Sequence, residues 1–415
     1  MRTSARVLER RSLSIALTGL LAVVSVGSEA RLQAQSGGES SAASTSLEHA
    51  ITSIVPKLLD EYHVPGASVA VIREGQIESV LDFGVQRAGS ASRVDERTVF
   101  EVASLSKPVF AYAAHLLAQK GILDLDRPLS EYLESPYVED PRLGRISARL
   151  VLSHSSGFPN WRPGGLWSDD PKPLLIEFDP GERFQYSGEG YVYLQRVVEH
   201  LTGENLDRYL KRAVLEPLGM SDSSFLWEER FEGHHASRHD GEGRPGREWR
   251  PPEALAAATL HTTASDYARF LQALLADGTD SSQPLSSTSI ERMLTPHSSI
   301  DELLGWSLGW GTEPRDNGML FWHWGENEGI KTLAAGSRST GTAVVVLTNG
   351  QWGHDVSRPI MELVLGKARF LDFRMVNYRP LSTHLPRIEQ AKTYFRRHPR
   401  KKSRVSARPL DGLRP

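Results

Sequence analysis

The 415-residue chain contains no cysteine. This absence excludes disulfide bonds, a thiol nucleophile and thiolate metal ligands from any account of its fold or chemistry. Beyond the N-terminus the chain also lacks a long uninterrupted apolar run, so we expect no membrane-spanning helix in its body. No sign of charge dominates, because the formal net charge is −3 at pH 7. Hydrophobic residues make up 39%, an ordinary globular share that can form a sizeable core.

The two ends of the chain differ from the body in composition. Residues 1–34 combine four early arginines with a short apolar stretch and small residues, which predicts a signal peptide and a periplasmic or secreted protein. An uncleaved signal that anchors the protein to a membrane is the alternative. Residues 35–46 are rich in Ser, Gly and Ala and predict a flexible linker. Residues 392–415 carry nine Lys and Arg and one Asp, and predict a basic, disordered tail.

Charge also limits the partners of this protein. Residues 1–34 carry a net +3 and residues 392–415 a net +8, so residues 35–391 carry about −14. An acidic body argues against nucleic acid as a partner. The charge of the basic tail suits contact with the anionic cell envelope, and a solvated end is the alternative.

Hydrophobic spacing predicts strands near both ends of the body and helices between them. A first helix is predicted at 47–62, followed by a strand hairpin with its turn at Glu74-Gly75. A short helix is predicted near Tyr132-Leu133. Longer helices are predicted at 146–153, 191–215 with a break at Thr202-Gly203, 263–275 and 356–365, and the remaining strands at 307–310, 320–324, 331–336 and 342–348. This order predicts an α/β (α+β) fold in a domain over 47–391. One antiparallel sheet forms from both chain ends, flanked by helices, with a mostly helical insertion over about 105–275.

The most informative motif is Ser-Leu-Ser-Lys at 104–107, the only place where a serine stands three residues before a lysine. It opens a run with helical spacing, so Lys107 is expected to stack against Ser104 on one helix face. A partly desolvated lysine can lose its proton near neutral pH and then take the proton of a serine hydroxyl. The serine N–H at the helix start can hold an oxyanion. A solvated Ser/Lys pair on an ordinary helix is the alternative.

Two downstream motifs add candidate residues. Tyr186 stands in a glycine-broken turn before a long helix, where it can shuttle a proton or serve as a buried anchor. His323 and Gly325 end an apolar strand, where a cation or donor can face a substrate carboxylate and glycine allows a ligand close to the backbone. His239 fits the same His-x-Gly spacing, but it lies in a polar loop and is discounted.

The order and context of these motifs resemble the serine β-lactamase-like hydrolases. The closest branch includes class C β-lactamases, D-alanyl-D-alanine carboxypeptidases and family VIII esterases. The resemblance covers roughly residues 47–365 and extends to several connecting stretches. These stretches are residues 64–67, 123–129, 152–157, 217–220, 263–266 and 344–350. The resemblance implies a β-lactamase/transpeptidase-like fold and a reaction that requires no metal or organic cofactor.

The resemblance also implies a role for each motif. Ser104 attacks a carbonyl and forms an acyl-enzyme, and Lys107 and Tyr186 together move the proton from the nucleophile to the leaving group. The backbone N–H groups of Ser104 and of Glu326, which follows Gly325, form the oxyanion hole. Water then releases the acyl group.

Two positions depart from the pattern of the β-lactamases. His323 stands where they have the lysine of Lys-Thr-Gly, as in some peptidase and esterase relatives. Gly188 stands where Tyr-x-Asn has its asparagine, whose amide would contact the amide of a β-lactam or peptide. Glycine supplies no such donor, which favours an ester or another small acyl substrate. The candidates to compensate are Ser187, Glu189 and Asn327.

The sequence therefore predicts an exported serine hydrolase that cleaves an ester or amide through an acyl-enzyme on Ser104. The first alternative is a β-lactamase or D-alanyl-D-alanine carboxypeptidase acting on β-lactams or cell-wall peptides. A further alternative is a catalytically silent relative that binds peptidoglycan or a protein. The expected partner is a small-molecule ester, amide or β-lactam.

Two other groups of residues have side chains of the kinds that bind metals or apolar ligands. Four polar-loop residues imitate a metal cluster without helical or strand spacing, and no metal site is predicted there. They are His234, His235, His239 and Asp240. Six tryptophans are predicted to be mainly core, with lining of an apolar cleft as the alternative. They are Trp161, Trp167, Trp306, Trp310, Trp322 and Trp324.

Overall fold

The computed structural model describes residues 46–167, 172–276 and 283–373. The predicted signal peptide, the linker up to residue 45 and the basic tail lie outside these residues. The chain divides into two units, one ending at Lys367 and the other beginning at Ala368. The described part of the second unit contains a 3₁₀ turn at Arg369–Asp372. Within the described ranges, no helix is long and apolar enough to cross a membrane.

Ten strands and eight helices are described in the first unit. The strands are β1 Gly66–Arg73, β2 Gln76–Gly84, β3 Phe100–Glu101, β4 His261–Thr262, β5 Ser298–Ser299, β6 Gly305–Trp306, β7 Gly311–Arg315, β8 Gly318–Asn327, β9 Ile330–Ser337 and β10 Thr342–Thr348. The helices are α1 at 46–61, α2 Ser106–Gln119, α3 Ala148–Leu152, α4 Gly188–Thr202, α5 Leu206–Leu210, α6 Ala264–Leu275, α7 Ser287–Leu294 and α8 Gly353–Leu365. Single 3₁₀ turns lie at Ala103–Leu105, Leu129–Glu131, Pro141–Arg145 and Glu229–Phe231, and α5 continues into a π-helical turn at Lys211–Leu215.

The main sheet is antiparallel and joins the two ends of the unit. Its strand order is β2-β1-β10-β9-β8-β7-β6-β5, so β1 pairs with β10, with Ala67 opposite Thr348. Residues 343–348 of β10 are buried throughout, and helices α6 and α8 both pack against this strand. A strand covered in this way has no polar face, which explains its continuous apolar run. The predicted fold class is confirmed.

Local turn chemistry explains one correct strand prediction and one wrong one. The β1–β2 hairpin turns at Glu74 and Gly75, whose φ angles of 49° and 72° are typical of a tight two-residue turn. Residues 307–310 form a turn between β6 and β7 instead of the predicted strand. Gly309 has a φ of 118°, and the Ser307 N–H donates to the Trp310 carbonyl at 2.8 Å. This apolar run is buried in a turn, so its hydrophobicity does not reflect strand pairing.

Capping residues set the boundaries of the helices in the region predicted as a helical insertion. Ser187 caps α4 by accepting the Gly190 N–H at 2.9 Å, so the helix begins before the predicted residue 191. The predicted break occurs at Gly203, whose left-handed conformation with a φ of 67° ends α4. Helix α3 is shorter than predicted because Ser147 caps its first turn.

The small sheet β3–β4 leads the chain directly to Ser104. Beyond β3, the Val102 N–H donates to the Leu260 carbonyl at 3.0 Å. The Val102 carbonyl accepts the Thr332 hydroxyl of β9 at 3.0 Å. The segment before Ser104 is thus held both by the chain leading into β4 and by the main sheet.

Candidate active site

Ser104 lies in the 3₁₀ turn Ala103–Leu105, directly before helix α2. The first residue of this turn has a φ of 48°, a left-handed conformation that costs a non-glycine residue free energy and often occurs at functional sites. Ser104 is half-buried, whereas both of its neighbours are buried. The Ser106 hydroxyl braces the turn by donating to the Ala103 carbonyl at 2.6 Å. The turn therefore presents a single hydroxyl at the N-terminal end of α2.

Lys107 stacks on Ser104 as its spacing predicted. Its Nζ lies 3.1 Å from Ser104 Oγ and donates to the Ala257 carbonyl at 2.8 Å. Only 1% of Lys107 is exposed, and this burial lowers the pKa of its ammonium group well below the usual value. A neutral amine keeps a lone pair after it donates to Ala257, and that lone pair can accept the hydroxyl proton of Ser104.

The structure brings Tyr186 to the same place. Lys107 Nζ lies 4.8 Å from the centre of the Tyr186 ring and 5.6 Å from that of Tyr191. Tyr186 is buried, and its ring packs on His154 with a centroid separation of 4.1 Å. Serine, lysine and tyrosine thus form one cluster although Tyr186 is 82 positions along the chain from Ser104. Proton transfer among the three groups is possible only because of this arrangement.

His154 holds the backbone on both sides of Tyr186. Its Nδ1 accepts the Ser187 N–H at 3.0 Å, and its carbonyl accepts the Gln185 N–H at 2.7 Å. Burial first, and then the charges of Lys107 and His323, lower the pKa of this imidazole well below its usual value. The ring is neutral, and the bond accepted at Nδ1 places its hydrogen on Nε2. His154 is a positioning residue, because both of these bonds hold the backbone that carries Tyr186.

His323 is fully buried within β8, four residues before the strand ends. Burial and the nearby Lys107 lower the pKa of its imidazole to about 3, so the ring is neutral at pH 7. Nδ1 donates to the Trp324 carbonyl at 2.8 Å, which leaves Nε2 as an acceptor. The sequence predicted a cation or a donor facing a substrate carboxylate. The ring carries no positive charge at pH 7, and the Trp324 carbonyl already accepts its one N–H. Its surroundings are aromatic, with Trp306 at 5.3 Å and Tyr186 at 6.1 Å between ring centres.

Gly325 brings β8 against the turn that carries Ser104. Cβ atoms in proteins essentially never come within 3.0 Å of another non-bonded heavy atom. A Cβ atom at position 325 would lie far closer than this to both the Val102 carbonyl oxygen and the Thr332 hydroxyl oxygen. Only glycine therefore allows the strand this close. The next residue, Glu326, pairs with Lys331 across β8 and β9, and its carboxylate lies 3.8 Å from Lys331 Nζ.

A buried ionic cluster, not detected in the sequence, braces the end of β8. The Glu101 carboxylate accepts two bonds from Arg238, at 2.6 and 2.7 Å, and a third from the Asn327 amide. Lys331 Nζ donates to the Asn327 carbonyl at 2.7 Å, and burial lowers the pKa of this lysine. Three separate segments of chain meet here, namely Glu101, Arg238 and the hairpin of Asn327 and Lys331, so no local spacing signals the cluster.

The asparagine missing from Tyr-x-Asn is not replaced by any of the three candidates. Ser187 caps α4 and donates to the Pro159 carbonyl at 2.8 Å. Glu189 is fully buried and accepts the guanidinium of Arg162 at 2.8 and 2.7 Å. Asn327 belongs to the cluster of Glu101. All three side chains are engaged in structural contacts.

The polar-loop histidines have structural contacts as well. His235 Nε2 lies 2.6 Å from a carboxylate oxygen of Glu248. His239 Nδ1 donates to the Asn349 carbonyl at 2.7 Å, and its Nε2 accepts the Ala88 N–H at 3.0 Å. No group of three or more potential metal ligands occurs in the parts of the chain that the structure describes.

The six tryptophans divide into two groups. Four are buried in the aromatic cluster behind the site or in the core, and they are Trp306, Trp310, Trp322 and Trp324. Trp161 and Trp167 lie on the loop before α4 and are 37% and 43% exposed. Sequence composition does not separate these groups, because an apolar residue in a loop and one in a strand have equal hydrophobicity.

Comparison with known proteins gives a consistent result. The sequence pattern of the family described as beta-lactamase matches residues 51–363. Penicillin-binding protein 4 of Amycolatopsis lactamdurans is 28% identical over 316 residues, covering 71% of this chain and 83% of that protein. Protein flp of Staphylococcus aureus (strain MRSA252) is 25% identical over 207 residues, which cover 46% of this chain and 40% of that protein. A solved class C beta-lactamase superposes with a TM-score of 0.70 at 19% identity, covering 78% of this chain and 97% of that chain.

Proposed function

Because this chain belongs to the beta-lactamase family, we propose that it is a serine hydrolase that cleaves an ester or amide through an acyl-enzyme on Ser104, with esters preferred. The main support is the contact between Lys107 and Ser104. A buried lysine with a lowered pKa lies 3.1 Å from a half-exposed serine hydroxyl. This is the arrangement that general-base activation of a nucleophile requires.

In the first step Ser104 Oγ attacks the substrate carbonyl carbon. Its proton passes to Lys107 and, with Tyr186, on to the leaving alcohol or amine as the bond between the carbonyl carbon and the leaving group breaks. Negative charge on the carbonyl oxygen is held by the N–H groups of Ser104 and Glu326, a contribution of a few kcal/mol. Water then attacks the acyl-serine, releases a carboxylic acid and restores the Ser104 hydroxyl.

Two features of the site favour an ester over an amide. His323 is neutral with a pKa of about 3, so it offers no positive charge to a substrate carboxylate. Position 188 has no side-chain amide, and the three residues considered as substitutes are engaged elsewhere. A site without these groups recognises a charged peptide or β-lactam poorly, because the polar groups of such substrates would remain unpaired.

Hydrolysis of 4-nitrophenyl acetate and butyrate by the purified protein tests this proposal. We expect the Ser104→Ala variant to lose this activity, and a fluorophosphonate to label the wild type on Ser104, as located by peptide mass spectrometry. Ser92→Ala is the control, because Ser92 lies exposed in a loop and its loss should leave activity unchanged. Equal hydrolysis by wild type and Ser104→Ala would disprove the proposed nucleophile.

A β-lactamase or D-alanyl-D-alanine carboxypeptidase activity is the second candidate. It is supported by the 28% identity to penicillin-binding protein 4. Labelling of Ser104 by a fluorescent penicillin, without hydrolysis of either ester, would favour this candidate. Absence of any adduct on Ser104 in the folded protein would instead favour a silent binding relative.

We also propose that the protein is exported to the periplasm or secreted. The support is the composition of residues 1–34, with early arginines before a short apolar stretch. The N-terminal mass of the protein isolated from the periplasmic fraction tests this proposal. A full-length, cytoplasmic protein would contradict it.

A further inference from the structure

The position of the missing asparagine is occupied by a tryptophan from another segment. A Cβ atom built on Gly188 would lie 2.6 Å from the six-membered ring of Trp161 and 2.9 Å from the Asn160 carbonyl. Both distances are shorter than Cβ atoms adopt, so a side chain at position 188 would force the Trp161 ring and the Asn160 backbone to move. The absence of a side chain at Gly188 therefore makes room for the Trp161 ring.

The backbone indicates which way this occupied position faces. Ser187, between Tyr186 and Gly188, has extended dihedral angles of −137° and 115°. Side chains two residues apart on an extended segment point to the same side. Tyr186 points toward Lys107, whose Nζ is 4.8 Å from the tyrosine ring. The Trp161 ring, lying where a side chain at 188 would begin, is therefore on the Lys107 side of the segment.

Hydrogen bonds hold the backbone on both sides of Trp161, whose side chain is 37% exposed. Before it, the Asn160 carbonyl accepts the N–H groups of Gly188 and Glu189, both at 3.0 Å. After it, Arg162 donates its backbone N–H to the fully buried Glu189 at 2.9 Å and adds two guanidinium bonds. A tryptophan has only two side-chain torsions and its backbone is already held here, so little conformational entropy is lost when a ligand packs against the exposed ring.

We infer that Trp161 forms an apolar wall of the cleft beside Ser104 and that it selects esters whose acyl group is aromatic or otherwise apolar. This inference rests on the hydrolase function proposed above. The family pattern has an amide at this position, whereas here an indole ring contacts the acyl group. The ring offers a flat apolar surface, which pairs well with another ring and gains nothing from a peptide amide.

The test compares 4-nitrophenyl phenylacetate with 4-nitrophenyl acetate. We expect Trp161→Ala to lower kcat/KM for the phenylacetate roughly tenfold, the lower end of the effect of one apolar contact, and to leave the acetate within about twofold. Trp161→Phe should retain most of the preference. Trp167→Ala is the matched control, since Trp167 is on the same loop and similarly exposed. An equal change for both esters, or the same loss in Trp167→Ala, would overturn the inference.

A binding measurement separates this inference from the proposed function. Ligand-observed NMR with phenylacetate and acetate uses the Ser104→Ala protein and its double variant with Trp161→Ala, neither of which needs to turn over. We expect phenylacetate to bind the single variant and to bind the double variant several-fold more weakly. Equal binding to both variants contradicts a contact between Trp161 and the acyl group, even if ester hydrolysis is found. Weaker binding of phenylacetate to the double variant supports a contact between Trp161 and the acyl group, even if the wild type hydrolyses no ester.

Discussion

A single methyl group at position 325 should separate the two halves of the proposed oxyanion site. In Gly325→Ala the added Cβ meets the Val102 carbonyl and the Thr332 hydroxyl, both far inside the 3.0 Å limit. The carbonyl is backbone, and the Thr332 hydroxyl is bonded to it at 3.0 Å, so neither atom can turn aside without breaking that bond. Strand β8 must instead move away from the turn of Ser104 by about 1 Å.

The expected magnitudes follow from this displacement. A misplacement of about 1 Å can lower a reaction rate about 100-fold, and loss of an oxyanion donor lowers kcat by about 100- to 1,000-fold. Overpacking at this contact should lower the free energy of unfolding by roughly 1–3 kcal/mol. Activity should thus fall far more than the loss of folded protein explains.

The assay measures kcat for 4-nitrophenyl acetate together with the unfolding midpoint in urea. Gly144→Ala is the control, because a Cβ at Gly144 meets no atom within 4 Å and the residue does not have a positive φ. We expect the control to match the wild type in both measurements. If Gly325→Ala kept kcat within threefold while remaining folded, the close approach of β8 to Ser104 would have no part in the reaction.

Two further predictions concern buried ionisable groups. Lys107→Met should lower ester hydrolysis by about 100- to 10,000-fold, the usual effect of a general base. The thermal midpoint of this variant at pH 7 should equal or exceed that of the wild type. The lowered pKa of Lys107 makes the folded state bind fewer protons than the unfolded state, which lowers stability at every pH below the usual pKa of lysine. A clearly lower midpoint would contradict this reasoning. His115 is buried in α2 with a pKa lowered to about 3, so its cost to stability grows as the pH falls from 6.5 toward 3. Between pH 7 and pH 4, the free energy of unfolding measured in urea should therefore fall less in His115→Leu than in the wild type, by on the order of 3 kcal/mol. An equal fall in both proteins would refute this.

The local part of the site was predictable because it depends on spacing within one element. Ser104 and Lys107 are three residues apart at the start of a helix, and this spacing alone places their side chains on one face. The turn at Gly75 and the helix end at Gly203 were likewise predictable, because each requires a positive φ that glycine adopts readily. The run at 307–310 was mistaken for a strand because an apolar run does not distinguish a buried turn from a buried strand.

The sequence by itself determined the fold class, the order of the motifs and the identity of the residues proposed for the chemistry. These follow from short-range periodicity and from a pattern of motifs along the chain. Only the tertiary structure decided the protonation states of Lys107 and His323, because their pKa values depend on burial by distant segments of the chain. It also decided what replaces the side chain absent at Gly188. Trp161 is 27 positions away, and contact between the two requires the loop to fold back onto α4.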